Sequence, residues 1–207
     1  MSLYDYLLDT YGQNEPILSG EIEYKDYSRP WLYKELKRLC ENGEIIRYEK
    51  GVYYIPTQTV LGAGLLNPRK VIEKKYISSG ENTVGYYSGI AFLNRLGVST
   101  QMPNILEICT NNETAKLRET TVGRQKILLR RARTEVSVQN AAVLSFLEMM
   151  NSVAPSFFDD DRKKKVKNYI DKNGISRSDI TKYAPVFPDK AMRTMIESEV
   201  IYSVAQR

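Results

Sequence analysis

The sequence predicts an α+β protein in two parts: a small helical segment ending in a tight hairpin, then a larger mixed α/β region with a helical C-terminal part. Three observations carry that prediction. Apolar residues recur at helical spacing over 3–11 and 30–42. Short strand-like runs bounded by turn residues follow at 44–56, 104–110 and 115–133. After Pro56 the composition shifts to the nearly uncharged, Gly-containing "TQTVLGAGLLNPRK", which divides the chain into domains 1–58 and 59–207.

The first helix runs from Leu3 to Tyr11, with Leu3, Leu7 and Leu8 inward, and "GQNEP" ends it. "ILSGEIEY" reads as a short second helix or a turn-rich segment. Next comes "SRPWLYKELKRLCENGEIIRYEKGVYYIP", residues 28–56. Pro30 suits the first turn of a helix, where its missing N–H costs nothing. Leu32, Leu36, Leu39 and Cys40 share one helical face, and Gly43 suits a left-handed C-terminal cap. The opposite face carries Trp31, Lys34, Lys37, Arg38 and Glu41. "EIIRY" and "VYYIP" read as strands joined by "EKG", with Gly51 where positive φ is needed. The second region predicts helices near 68–77 and 86–96, a strand at 104–110, a hairpin turning near Val122–Gly123, and helices at 137–150, 160–172, 176–183 and 188–200.

Composition removes several function classes. The chain has 207 residues, no histidine and two cysteines, so Ser-His-Asp and Cys-His catalysis and nearly all common zinc sites are excluded. Cys40 and Cys109 read as buried free thiols. "GAGLLN" lacks the third glycine of a dinucleotide fingerprint. The strand bearing Glu107-Ile108-Cys109 lacks the lysine a metal-dependent nuclease would place there. No enzyme, cofactor or metal is therefore expected. The longest apolar run, "AAVLSFLEMM", is too short for a bilayer and contains Glu148. "MSLYDYLLDT" has no basic region ahead of its apolar residues, which predicts a cytoplasmic protein without a membrane partner. "DDDRKKKVKNY" places acids at a helix start and bases further along, as the helix dipole favours.

A net charge of +5 permits a polyanionic partner. Short helices, then a helix with a basic outer face, then a hairpin is the order of a winged helix-turn-helix. In that reading Lys34, Lys37 and Arg38 meet phosphates or base edges in double-stranded DNA. Ser28, Arg29 and Trp31 sit at the start of the helix. Arg47, Tyr48 and Lys50 of the hairpin lie against the backbone or minor groove. The plain alternative is a helix and hairpin packed in an ordinary domain, or used for protein contacts.

"LKRLCENGEIIRYEKGVYYIP" resembles the N-terminal winged helix of AbiEi-type antitoxins of type IV toxin–antitoxin (abortive infection) systems. "GYYSGIAFLNRLGVSTQMPNILEICTNN" resembles that family's following domain. The likeness covers about residues 1–135; the last 70 fit more loosely. It implies a repressor that binds inverted repeats in its own promoter. It also implies an antitoxin that counteracts a nucleotidyltransferase-like toxin without a stable complex. The implied DNA contacts are Ser28 to Arg38 and Arg47 to Lys50. Basic residues of the second domain are implied as well, here Lys116, Arg118, Arg124, Lys126, Arg130, Arg131 and Arg133. Strand alternation puts Lys126 and Arg130 on one side, with Arg131 and Arg133 on the other; a solvated hairpin is the alternative. No heptad is visible, so the expectation is a monomer in solution, two copies loading on one operator. The rivals are a winged-helix regulator without a toxin partner and a protein-interaction adaptor.

Overall fold

The computed structural model describes residues 1–25, 27–60, 62–80, 82–101 and 103–204. Leu61 of the boundary segment and Met102 of the "GVSTQMP" motif lie outside the described residues. The described chain is α+β, and it forms two compact units: Met1–Lys75 with Val122–Arg124, and Tyr76–Thr121 with Gln125–Arg207.

In the first unit, α1 (Leu3–Tyr11) opens on a capping box: the Ser2 hydroxyl accepts from the Asp5 amide at 3.1 Å and the Asp5 carboxylate accepts from the Ser2 amide at 3.0 Å. Leu3 and Leu7 are buried, but Leu8, expected inside, is exposed. One residue turns the helix by about 100°, which carries position 8 off the face that 3 and 7 share. "ILSGEIEY" forms no helix. It supplies the two-residue strand β1 (Ile17–Leu18) and a run of turns.

Helix α2 (Arg29–Glu41) is capped by Ser28, whose hydroxyl accepts from the Trp31 amide at 3.5 Å. Strands β2 (Ile46–Glu49) and β3 (Val52–Tyr54) follow, with a register shift between Arg47 and Glu49 and a turn at Gly51, φ +79°. β1 pairs with β3 as well, giving the sheet order β1-β3-β2. Leu3, Leu7, Ile17, Leu32, Leu36 and Leu39 meet in one core. Each such leucine contributes about 1.5–3 kcal/mol by leaving water.

A two-strand ladder, β4 (Gln58–Thr59) and β5 (Gly62–Ala63), leads to α3 (Pro68–Tyr76). The composition shift after Pro56 assigns α3 to the second domain, beyond residue 58. Three ion pairs instead tie it into the first unit. Lys70 meets Glu15, Lys74 meets Glu21 at 3.6 Å, and Lys75 meets Glu49 at 2.6 Å.

The second unit begins with the small ladder β6 (Ser78–Ser79) and β7 (Asn82–Thr83), then β8 (Gly85–Ser88) and α4 (Gly89–Arg95). The segment expected as a helix from residue 86 is thus half strand. Tyr86 and Tyr87 pair with Cys109 and Ile108 of β9 (Ile105–Thr110), and long-range pairing overrides the local apolar pattern. Gly85 must be glycine, because a side chain there would run into the carbonyls of Tyr76 and Cys109. The hairpin β10 (Arg118–Val122) and β11 (Gln125–Arg131) turns where the sequence places it. The sheet order is β10-β11-β9-β8, with β11 parallel to β9 and β8 antiparallel to it.

Helix α5 (Ala141–Ser152) is buried from Val143 to Met150. Helices α6 (Asp160–Lys172), α7 (Arg177–Tyr183) and α8 (Asp189–Glu197) complete the unit, and a short 3-10 turn at Val200–Ser203 follows. In α6 Asp160 and Asp161 occupy the first turn, Asp161 pairs with Lys165 at 2.7 Å, and a further acid, Asp171, pairs with Lys167 near the other end. Among the described residues no helix is long and apolar enough to cross a membrane.

Candidate nucleic-acid interface

The core contacts of Leu32, Leu36 and Leu39 fix which side of α2 faces out. Lys34 is exposed and makes no ion pair among the described residues. Lys37 is also exposed, with a loose contact to Glu41 at 3.6 Å. Such a pair contributes little in water and is easily exchanged for a phosphate. Arg38 is held differently. Its Nε lies 3.0 Å and its Nη2 2.6 Å from Glu35 Oε1. The hydrogen bonds from Arg38 hold the Glu35 carboxyl below its ordinary range.

Arg29 is exposed but engaged within its own unit. Its guanidinium turns back and donates to the carbonyls of Ser19 at 2.9 Å, Gly20 at 3.0 Å and Ile22 at 3.4 Å. It clamps the turn that precedes α2. Ser28 is spent on the cap. Trp31 is half-buried, with its ring stacked on Tyr27 at 3.9 Å. On the hairpin, Arg47 and Lys50 are exposed, whereas the Tyr48 hydroxyl is buried with no hydrogen-bond partner among the described residues. Tyr48 therefore points inward rather than toward a ligand. Burial pushes the Tyr53 hydroxyl up, and neighbouring Arg47 pulls it the other way. Arg47 pairs with Tyr53 across the hairpin and lies near Cys40 of α2. The candidate surface thus reduces to Lys34, Lys37, Arg47 and Lys50, with Arg38 available once Glu35 releases it.

The basic β10–β11 hairpin is less basic than its sequence. Arg118 Nε sits 2.6 Å from Glu113, Arg130 pairs with Glu107 at 3.3 Å, and Arg133 pairs with Glu148 at 3.0 Å. Arg133 also lies over the Phe187 ring at 5.1 Å. Lys116, Arg124, Lys126 and Arg131 are exposed and make no ion pair among the described residues. Lys126 and Arg130 share a face, and Arg131 has the other. Arg133 falls beyond the end of β11, so strand alternation does not place it.

A buried polar group escaped the sequence reading because three separated segments build it. The Tyr86 and Ser88 hydroxyls lie beside the Cys109 thiol, buried and without an oxygen or nitrogen partner among the described residues. Burial, with Glu148 nearby, pushes the thiol up to about 11. At neutral pH Cys109 is a buried thiol rather than a nucleophile.

None of the curated proteins compared matches the chain. A family model described as "Family of unknown function (DUF6088)" matches residues 21–177. That span takes in α2, the β2–β3 hairpin and the whole four-stranded sheet of the second unit. The chain belongs to DUF6088, a family of unknown function.

Proposed function

We propose that the chain binds double-stranded DNA through α2 and the β2–β3 hairpin, as a winged helix-turn-helix does. It thereby represses its own operon as the antitoxin of a type IV toxin–antitoxin (abortive infection) pair. The observation that carries the DNA reading is the outer face of α2. Lys34 and Lys37 stand in solvent opposite the buried Leu32, Leu36 and Leu39, and Arg47 of the following hairpin is exposed as well. A helix so oriented can enter a major groove while its apolar side stays docked. The arrangement departs from the usual pattern in having turns, not a helix, ahead of α2. The antitoxin role and the nucleotidyltransferase-like toxin rest on the resemblance of "GYYSGIAFLNRLGVSTQMPNILEICTNN" alone. The protein acts in the cytoplasm as a monomer, two copies loading on inverted repeats of one operator.

The test is fluorescence anisotropy on the chain's own upstream DNA at 50–200 mM salt. Each phosphate contact adds about 0.9 to the salt slope, or about 3.5-fold in affinity over that range. Lys34→Ala/Lys37→Ala should lower the slope by nearly two units while the fold stays intact. A double variant that binds like wild type across salt overturns the interface. Growth rescue of cells expressing a neighbouring nucleotidyltransferase-like toxin tests the antitoxin role, and a folded protein that never rescues overturns it.

A further inference from the structure

Just ahead of α2, and in its first turn, lies a set of aromatic rings that the basic-face reading does not use. Tyr27 stacks on Trp31 with centroids 3.9 Å apart and planes 16° from parallel. Tyr24 lies nearly parallel to both, at 5.7 and 6.0 Å, and Tyr6 braces Tyr24 from α1 at 5.1 Å. Tyr24 is buried, so the stack is anchored in the core. Its outer member is not: Tyr27 is 48% exposed. A ring with one face covered by an indole and half its surface in water presents its second face.

One cation lies beside that ring, and a second is carried by the same helix as Trp31. Lys25 holds its ammonium 4.9 Å from the Tyr24 centroid and 5.8 Å from that of Tyr27. Its backbone is left-handed, φ +48°, a conformation that residues with side chains rarely adopt and that persists where the surroundings impose it. Lys34 stands one helical turn beyond Trp31, exposed. A flat π-surface, pre-ordered by its neighbours, with one cation beside it and another on the same helix, matches a nucleobase with its flanking phosphates.

We propose that Tyr27 is a base-stacking residue: it receives the face of one base at a step that the bound DNA opens or kinks. This rests on the DNA reading above and goes beyond it, because the outer face of α2 alone calls for an undistorted groove. Side chains that wedge against a partly unstacked step are a general means of bending a duplex. The energy comes from ring overlap, so it is insensitive to salt.

The experiment uses the full chain and its upstream duplex, with 2-aminopurine replacing single adenines in turn. Tyr27→Leu should bind about tenfold more weakly with an unchanged salt slope, and Tyr27→Phe should bind like wild type. In the wild-type complex, 2-aminopurine at one position should change emission sharply. Trp31, the chain's single tryptophan, should report the same event. Tyr27→Leu that is folded and binds like wild type overturns the proposal. So does Tyr27→Phe that binds as weakly as Tyr27→Leu, since the hydroxyl would then be the contact. If Tyr27→Leu fails to fold, the wild-type titration decides: no responsive 2-aminopurine position overturns the proposal. Wild-type protein that binds no DNA at all removes the DNA reading itself, a result distinct from the others.

Discussion

Replacing Arg29 by methionine separates a structural arginine from a DNA-contacting one. The substitution keeps most of the aliphatic stem and removes the donors that reach Ser19, Gly20 and Ile22. Two of those bonds, at 2.9 and 3.0 Å, have good geometry, and the third, at 3.4 Å, is weak. Charged donors to carbonyls contribute about 1.5–3 kcal/mol when shielded; partial exposure here lowers that to about 1 kcal/mol each, or about 2 kcal/mol in all. With a urea m-value of about 2 kcal/mol/M, the midpoint should fall by about 1 M. Trp31 lies in the first turn of the same helix, so its emission follows the unfolding of this unit. The affinity of the folded variant for DNA should change little. An unchanged midpoint with lost DNA binding would refute the clamp and restore Arg29 to the interface.

Glu35→Gln should free Arg38, tighten DNA binding several-fold and raise the salt slope by about one unit; no change would mean that Arg38 is not within reach of a phosphate. Phe146 is fully buried in α5, so Phe146→Ala should cost about 3–5 kcal/mol in urea unfolding, and a loss below 1 kcal/mol would argue against the placement of α5. Burial by itself would raise the Glu113 carboxyl, but hydrogen bonds from the Ala115 and Thr114 amides and from Arg118 outweigh it and leave it below 4.5. Its contribution to stability is therefore present above about pH 4.5 and lost as pH falls through the folded-state value, and Glu113→Gln should flatten that acid limb. Native protein at pH 8 should show slow labelling of half-buried Cys40 and none of Cys109 until it unfolds; rapid labelling of Cys109 would contradict its burial.

Local pattern made α2 legible to within a residue, because its leucines repeat at helical spacing and Ser28 and Pro30 mark its start. The charge order of α6 was equally plain, since the cap and first turn are contiguous in sequence. What failed was non-local. "YYSGIAFLNRLG" has apolar content enough for a helix, and only its pairing with residues 107–110 makes its first part a strand. No pattern in β11 reveals that it runs parallel to β9. The candidate site failed in the same way. Arg29, Arg118, Arg130 and Arg133 look like free cations until their partners are located, and those partners lie from 5 to 23 residues away. A side chain's charge can be read from sequence, but whether it is already neutralised cannot.

The three lysine contacts of α3 have an electrostatic consequence. Residues 1–58 contain ten acidic and seven basic side chains, a net charge of −3. Lys70, Lys74 and Lys75 meet Glu15, Glu21 and Glu49, and residues 1–75 as a whole are neutral. Helix α3 is thus a covalently attached counterion. Without it, the segment bearing α2 would carry a net negative charge and repel any polyanion. A fragment cut at residue 58 would be the wrong piece on which to judge DNA binding, and one cut at residue 75 keeps its field balanced.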